Sequence, residues 1–344
     1  MAMIELPIVD IAAWETGGAA ARRAIAATVA ETCARAGFLM VTGHGIDPHV
    51  IAAMESTTRD FFDRPLAEKL AIDTAGADVV RGYRRIGTTT VAYSLGQVAP
   101  PDLREQFITG PEPIAGDPYF DAPETALYFQ PNVWPVHPAG MRRAWQAYYR
   151  AADGLARRIM QIFAAALALP ETWFDDKIDR AISNLIASNY PAQPEPPLPG
   201  QLRAGAHTDF GSLTLLLTQD RPGGLQVMGG DGGWHDVAPR PGTFIVNLGD
   251  LMAQWTNDRW RSTLHRVVNP PREVAGDSRR QSIVFFHQPN YDAVIECLPT
   301  CHGPGDPIRH RPVRSGEHLR AKLRKTQKGV AGAVAEPSNQ EKVP

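Results

Sequence analysis

The spacing of apolar and polar positions changes character near the middle of the chain. From about Thr16 to Leu169, apolar residues recur mainly at three- and four-residue intervals, the period of helices laid against a core. The stretch AARRAIAATVAETCARAG is rich in helix formers and predicts a helix stopped by Gly37. Asp47-Pro48 predicts a second helix running through Phe62, with proline tolerated in the first turn. The longest helix is predicted from about Ala139 to Leu169, ending before Pro170. It carries Trp145, Tyr148, Leu155, Ile159, Ile162 and Phe163 on one buried face.

From about Asn184 to Pro299 the period shortens to brief apolar runs broken by Gly, Pro and Asn, the pattern of antiparallel β structure. Within LRAGAHTDFGSLTLLLTQD, the run Leu213–Leu217 is too short for a helix. In RWRSTLHRVVNPP, the β-branched Thr263, Val267 and Val268 bracket His265, and Pro270-Pro271 end the strand. Asn257-Asp258, between WT and RW, predicts a tight hairpin turn. PAQPEPPLPG reads as a surface loop near the mouth of any site that follows it. After Arg314 the segment GEHLRAKLRKT predicts a short helix, and residues 328–344 are small and polar enough to read as a disordered tail. The boundaries are thus 1–180 for a helical and β region packed on a core, 181–313 for the β core, 314–327 for the helix and 328–344 for the tail. No internal repeat is present.

Candidate chemistry concentrates in the β half. His207-Thr208-Asp209 places an imidazole and a carboxylate at i and i+2, and alternating strand residues share a face. His265, from a distant strand, adds a second imidazole. Two imidazoles and one carboxylate on one side of a metal leave its other positions open, the arrangement expected for non-haem Fe(II). A lone His-x-Asp is weak evidence, since most histidines are ordinary surface or core residues. A second pair strengthens it. Arg280 and Ser282 open a strand-like run at the same spacing, and a guanidinium with a hydroxyl suits one end of a dicarboxylate. A hairpin returning after His265 is expected to bring this pair beside the metal. The competing reading is an edge-strand arginine in a basic patch with Arg272 and Arg279.

The whole string resembles the Fe(II)/2-oxoglutarate-dependent dioxygenases of the isopenicillin N synthase-like group, over roughly Leu6 to Gln327. The likeness is carried in order by LPIVDIAAW, GFLMVTGHGI, RGY (81–83), PDLREQF (101–107), NYP (189–191), HTDFGSLTLLLTQD, GGLQVM, GWHDVAPRPGTFIVNLGD, WTNDRWRSTLHRV and RRQSIVFFHQPNYDAVIECLP. The resemblance implies a mainly β fold with flanking helices, built on a double-stranded β-helix, or jelly-roll, behind an N-terminal helical region. It implies His207, Asp209 and His265 as iron ligands, and Arg280 and Ser282, with Tyr190, around the distal carboxylate of 2-oxoglutarate. It implies Fe(II) as cofactor, 2-oxoglutarate and O2 as co-substrates, and oxidation of a small molecule coupled to release of succinate and CO2. Hydroxylation leads, with desaturation or ring formation as variants. Isopenicillin N synthase itself keeps the Arg-x-Ser pair without using 2-oxoglutarate, so a co-substrate-independent oxidase is the alternative. Gln281 departs from the aromatic residue common at that position, which faces away from the metal. Phe210, Phe286, Arg81, Tyr83 and Phe107 are candidate substrate contacts.

Composition narrows the field. The chain has 344 residues, 43% hydrophobic and 21% charged, as expected of a soluble globular protein. A net charge of −2 with scattered basic residues gives no case for nucleic acid. No apolar run suits a bilayer, and the acidic start MAMIELPIVD lacks a signal-peptide layout. Cys33, Cys297 and Cys301 suit reduced thiols in a cytoplasmic monomer better than a zinc site, although Cys297, Cys301 and His302 are close in sequence. Two other classes stay open: a metal-binding scaffold with a retired site, and a zinc hydrolase using the same His, Asp and His.

Overall fold

Glycine, proline and aspartate fix the ends of the first helices where the sequence places them. Ala19–Arg35 is helical and closes before Gly37, whose φ of 66° is in the left-handed region. In Pro48–Phe62 the Asp47 carboxylate accepts the His49 N–H at 2.8 Å, capping the helix. The long helix spans Met141–Ala166 and buries Trp145, Tyr148, Leu155, Ile159, Ile162 and Phe163. These positions come from a computed structural model, which describes residues 3–74, 80–219 and 223–333 and the side chains of the last helix as far as Thr326. No helix among the described residues is long and apolar enough to cross a membrane.

The N-terminal half contributes strands β1 (Met3–Ile4), β2 (Ile8–Asp10), β3 (Phe38–Thr42), β4 (Gly82–Arg84) and β5 (Glu105–Thr109). Next come β6 (Asn184–Tyr190), β7 (Ala204–His207), β8 (Leu213–Thr218), β9 (Leu225–Met228) and β10 (Trp234–Val237). β11 (Phe244–Leu248), β12 (His265–Val267) and β13 (Arg280–His287) complete the main body, and β14 (Val294–Ile295) pairs with β15 (Val313–Arg314). One sheet has the order β1-β10-β9-β12-β7, and the other β2-β3-β11-β8-β13-β6-β5-β4. The N-terminal region is therefore less purely helical than its spacing suggests. Short apolar runs such as FLMVT, held between Gly37 and Gly43, extend the larger sheet. Leu6 and Pro7 carry the chain from one sheet to the other.

Strand alternation divides the core into two layers. Phe38, Met40 and Ile245 of the larger sheet meet Leu225, Val227 and Val237 of the smaller one. The intervening residues Leu39, Val41, Phe244 and Val246 join Trp145, Tyr148 and Phe163 on the other side, against the helices. At roughly 1.5–3 kcal/mol per fully buried large apolar side chain, this helical layer stabilises the larger sheet from outside. The interior between the sheets is left to hold a site. The fold is the expected mainly β jelly-roll with flanking helices.

Three local expectations change. Asn257 and Asp258 do adopt positive φ, 54° and 63°, but they close the helix Asp250–Trp255 instead of joining two strands. The N–H groups of Asn257 and Asp258 reach back to the carbonyls of Gln254 and Ala253. β12 and β13 form no hairpin: β12 lies between β7 and β9, and β13 between β6 and β8 in the opposite sheet. The connection through Arg272–Asp277 crosses the sandwich. The C-terminal helix spans Ser315–Ala333, past its expected end at 327. Of the expected tail, residues 334–344 lie outside the described residues.

Candidate metal centre

β7 and β12 run antiparallel, and their register sets His207 opposite His265. The two rings lie 4.3 Å apart, and the edge of Phe38 packs against His265 at 5.5 Å. Asp209 is not on the strand, which ends at His207; it sits two residues on, in a turn. Its main-chain carbonyl accepts the Asp250 N–H at 2.8 Å. Two glycines make this turn possible. A Cβ on Gly211 would lie 2.2 Å from the His287 carbonyl oxygen, and one on Gly249 the same distance from that of Gly211. The backbone thus passes close behind Asp209 and aims its side chain at the histidines.

The donor atoms are left facing one another. His207 Nδ1 lies 2.8 Å from the Gly205 carbonyl oxygen and His265 Nδ1 lies 3.2 Å from that of Thr263. Both contacts place the ring proton on Nδ1 and leave Nε2 as a lone pair. Asp209 Oδ2 accepts from Thr214 Oγ1 at 2.5 Å and Asn247 Nδ2 at 2.6 Å. Asp209 Oδ1 faces the two imidazoles at 3.8 and 3.6 Å. The three ligand atoms lie within 4.8 Å of one another, and no other His, Cys, Asp and Glu group among the described residues converges this way. Cys33, Cys297 and Cys301 are free. Burial pushes His207 down to about 3, helped by His265 and Arg104, so its ring is neutral at physiological pH. Burial alone would raise the Asp209 carboxyl, but His265, His207 and the bonds from Asn247 and Thr214 outweigh it and hold it below the usual range. Two imidazoles and one carboxylate with no other claim on their free atoms fit a divalent ion.

A second polar patch lies on the larger sheet. Arg280 on β13 is in register with Tyr190 on β6, and its guanidinium sits 4.7 Å from the centre of the Tyr190 ring. Arg280 also donates to the Gly223 carbonyl. Burial opposes ionisation of the Tyr190 phenol, but Arg104 and Arg280, with Ser282 close by, outweigh it and lower it. Arg280, Ser282 and Tyr190 therefore form one group, and the charge of Arg104 interacts with both Tyr190 and Asp209.

Beside the cluster lies a cavity of about 160 Å³, touched by His207, Asp209, Phe210, Phe286, Arg104 and Gln288. A larger groove of about 730 Å³ by Trp14, Arg22 and Glu171 is far from this chemistry. Leu319 and Leu323 of the C-terminal helix cover one side of the cavity. That helix is tied down by Lys322, whose Nζ lies 2.6 Å from Asp250 Oδ2. Phe210 and Phe286 thus line the space, as expected. Arg81, Tyr83 and Phe107 do not. Arg81 is buried as a brace, donating to the carbonyls of Tyr128, Gln130 and Val80 and to Asn184. Tyr83 donates to Glu105 at 2.6 Å, and Phe107 packs on Trp145 at 4.8 Å on the helical side. Arg104, Asn247 and Thr214 were not picked out from the sequence. For Arg104 a signal was present: immediately before β5, it shares parity with Gln106 and Ile108, which line the same cavity.

Known proteins resemble this chain along nearly its whole length. The sequence pattern of the 2OG-Fe(II) oxygenase superfamily matches residues 182–289, and that of the non-haem dioxygenase in morphine synthesis N-terminal region matches residues 6–137. A 2-oxoglutarate-Fe(II) type oxidoreductase of Emericella nidulans is 34% identical over 93% of this chain and 90% of its own. The validamycin A dioxygenase of Streptomyces hygroscopicus subsp. limoneus is 33% identical over 88% and 82%. Among solved structures, a full-length Neurospora crassa protein in complex with alpha-KG and 5-formyluracil superposes with a TM-score of 0.80 at 29% identity, covering 93% of this chain and 96% of that one. The chain therefore belongs to the 2OG-Fe(II) oxygenase superfamily: it is an Fe(II)/2-oxoglutarate-dependent dioxygenase with O2 as its other co-substrate.

Proposed function

We propose that the protein hydroxylates a small-molecule metabolite, with His207, Asp209 and His265 holding the ferrous ion. Arg280 and Ser282 hold the distal carboxylate of 2-oxoglutarate, with the Tyr190 hydroxyl beside them. Bound iron supplies O2 activation coupled to decarboxylation of the keto acid. The chain's own work is positioning and exclusion of water. Thr214 and Asn247 fix the carboxylate ligand, the Gly205 and Thr263 carbonyls fix the imidazoles, and Phe210, Phe286, Leu319 and Leu323 enclose the substrate.

The observation that carries this reading is the convergence of three unclaimed ligand atoms, within 4.8 Å, beside a partly apolar cavity. In this reading residues 1–180 pack on the 181–313 core to close the outer face of the larger sheet. The three free cysteines suit a reducing, cytoplasmic setting. We place the enzyme there as a monomer in secondary metabolism, which light scattering and the genomic neighbourhood test.

Desaturation and ring formation need the same oxidant, and an oxidase resembling isopenicillin N synthase would need no 2-oxoglutarate. Succinate formed per O2 consumed separates these possibilities. One succinate per O2, with an oxygen atom from O2 in the product, supports hydroxylation. Substrate turnover without succinate overturns it in favour of the oxidase, and anaerobic turnover would mark a hydrolase.

A further inference from the structure

Arg104 borders the cavity but is assigned neither to the iron nor to the distal carboxylate of 2-oxoglutarate. Its side chain is 11% exposed and borders the cavity beside His207 and Asp209. One donor, Nη2, reaches Asp102 Oδ2 at 3.2 Å. Asp102 is itself fixed by the Gly205 N–H at 3.0 Å and the Val91 N–H at 3.3 Å, so the guanidinium is held from behind by a rigid anchor. The charge of Arg104 also acts on the Tyr190 phenol. The Nε of Arg104 is buried without a hydrogen-bond partner.

An arginine has five donors, and here only Nη2 reaches an acceptor of hydrogen-bonding geometry, so the guanidinium that borders the cavity has donors to spare for a ligand. The other cation at the cavity, Arg84, is engaged by Thr74 at 3.0 Å and by Asp73. Around Arg104 the walls are mostly apolar, including Val91, Ile108, Ile186 and Phe286. The space, about 160 Å³, is below the roughly 300–1,000 Å³ usual for ligand sites.

We propose that Arg104 determines substrate class: the compound oxidised is a small, largely apolar carboxylic acid whose carboxylate meets the Arg104 guanidinium. Its apolar body then lies between Phe286 and the C-terminal helix, beside the iron ligands His207 and Asp209. This assignment rests on the proposed iron and 2-oxoglutarate site. Arg104 acts here as a binding residue and takes no part in bond making.

The test uses full-length protein loaded with Zn(II) and 2-oxoglutarate, which binds without turning over. Matched pairs of apolar monocarboxylic acids and their primary amides, of roughly six to twelve carbons, are ranked by ligand-observed NMR. We expect at least one acid to bind about tenfold or more tighter than its amide. Arg104→Met is expected to erase that preference and Arg104→Lys to keep part of it; since Arg104 also acts on Tyr190, 2-oxoglutarate affinity is measured on the same proteins and is expected to fall by less than the acid-over-amide preference. Arg104→Lys preserves the charge beside Asp102 should the methionine variant fold poorly. Equal binding of acids and amides, no binding by any acid, or a loss confined to 2-oxoglutarate affinity would each overturn the proposal. Failure of the wild type to bind 2-oxoglutarate at all would instead sink the underlying site assignment.

Discussion

Two buried carboxylates in the same fold have opposite surroundings. Glu105 on β5 has both oxygens filled. Its Oε2 takes Lys69 Nζ at 2.8 Å and the Tyr83 hydroxyl at 2.6 Å, and its Oε1 takes Asn189 Nδ2 at 2.7 Å. Asp209 has one oxygen filled by Thr214 and Asn247, while the other faces only imidazole nitrogens beyond hydrogen-bonding distance. In the first cluster donors and acceptors balance, so the protein completes it alone. In the second, a carboxylate oxygen and two imidazole nitrogens converge without bonding to one another, a set of ligand atoms that a cation would join. Buried charge marks both regions; the imbalance marks the functional one.

The strongest way to break this contrast is at the ligands. His207→Ala and Asp209→Ala are each expected to abolish succinate formation while the apo protein keeps its fold by circular dichroism. Lys69→Met should do the reverse: about 3–5 kcal/mol of stability lost in urea unfolding, because Glu105 is left buried and unpaired, with iron affinity nearly unchanged. A Lys69→Met protein that lost iron and kept its stability would contradict the division. Arg280→Ala is expected to weaken 2-oxoglutarate binding by about 2–3 kcal/mol in calorimetry, with the iron site intact. Unchanged affinity would remove Arg280 from the clamp. The smallest effect is expected for Asn247→Ala, which frees Asp209 to rotate and should weaken iron binding about tenfold in competition with a chelator.

The three residues that converge here were legible in the sequence because metal chemistry is restricted to a few residue types, and those types stand out against apolar strands. Strand alternation accounts for their convergence only in part. Asp209 reaches the metal position from a turn beyond β7, through the close approach of Gly211 and Gly249. Helix ends were legible at Gly37 and Asp47-Pro48, where local backbone chemistry decides the outcome. Which sheet a strand joins was not. Nothing in the short link from His265 to Arg280 distinguishes a hairpin from a crossover between sheets. The same limit explains Tyr83 and Phe107. An aromatic on a two-sided strand can face helices or cavity, and the tertiary register decides; on β5 it turned Phe107 to the helices and Gln106 and Ile108 to the site.

Anaerobic titration of the apo protein with Fe(II), followed by 2-oxoglutarate, measures the central claim directly. The account predicts one ferrous ion per chain and a visible iron-to-keto-acid charge-transfer band on adding 2-oxoglutarate. It also predicts that Asp209→Ala loses both the ion and the band, while Lys69→Met retains them. Iron bound equally well by the Asp209→Ala protein, or no band in the wild type, would contradict it.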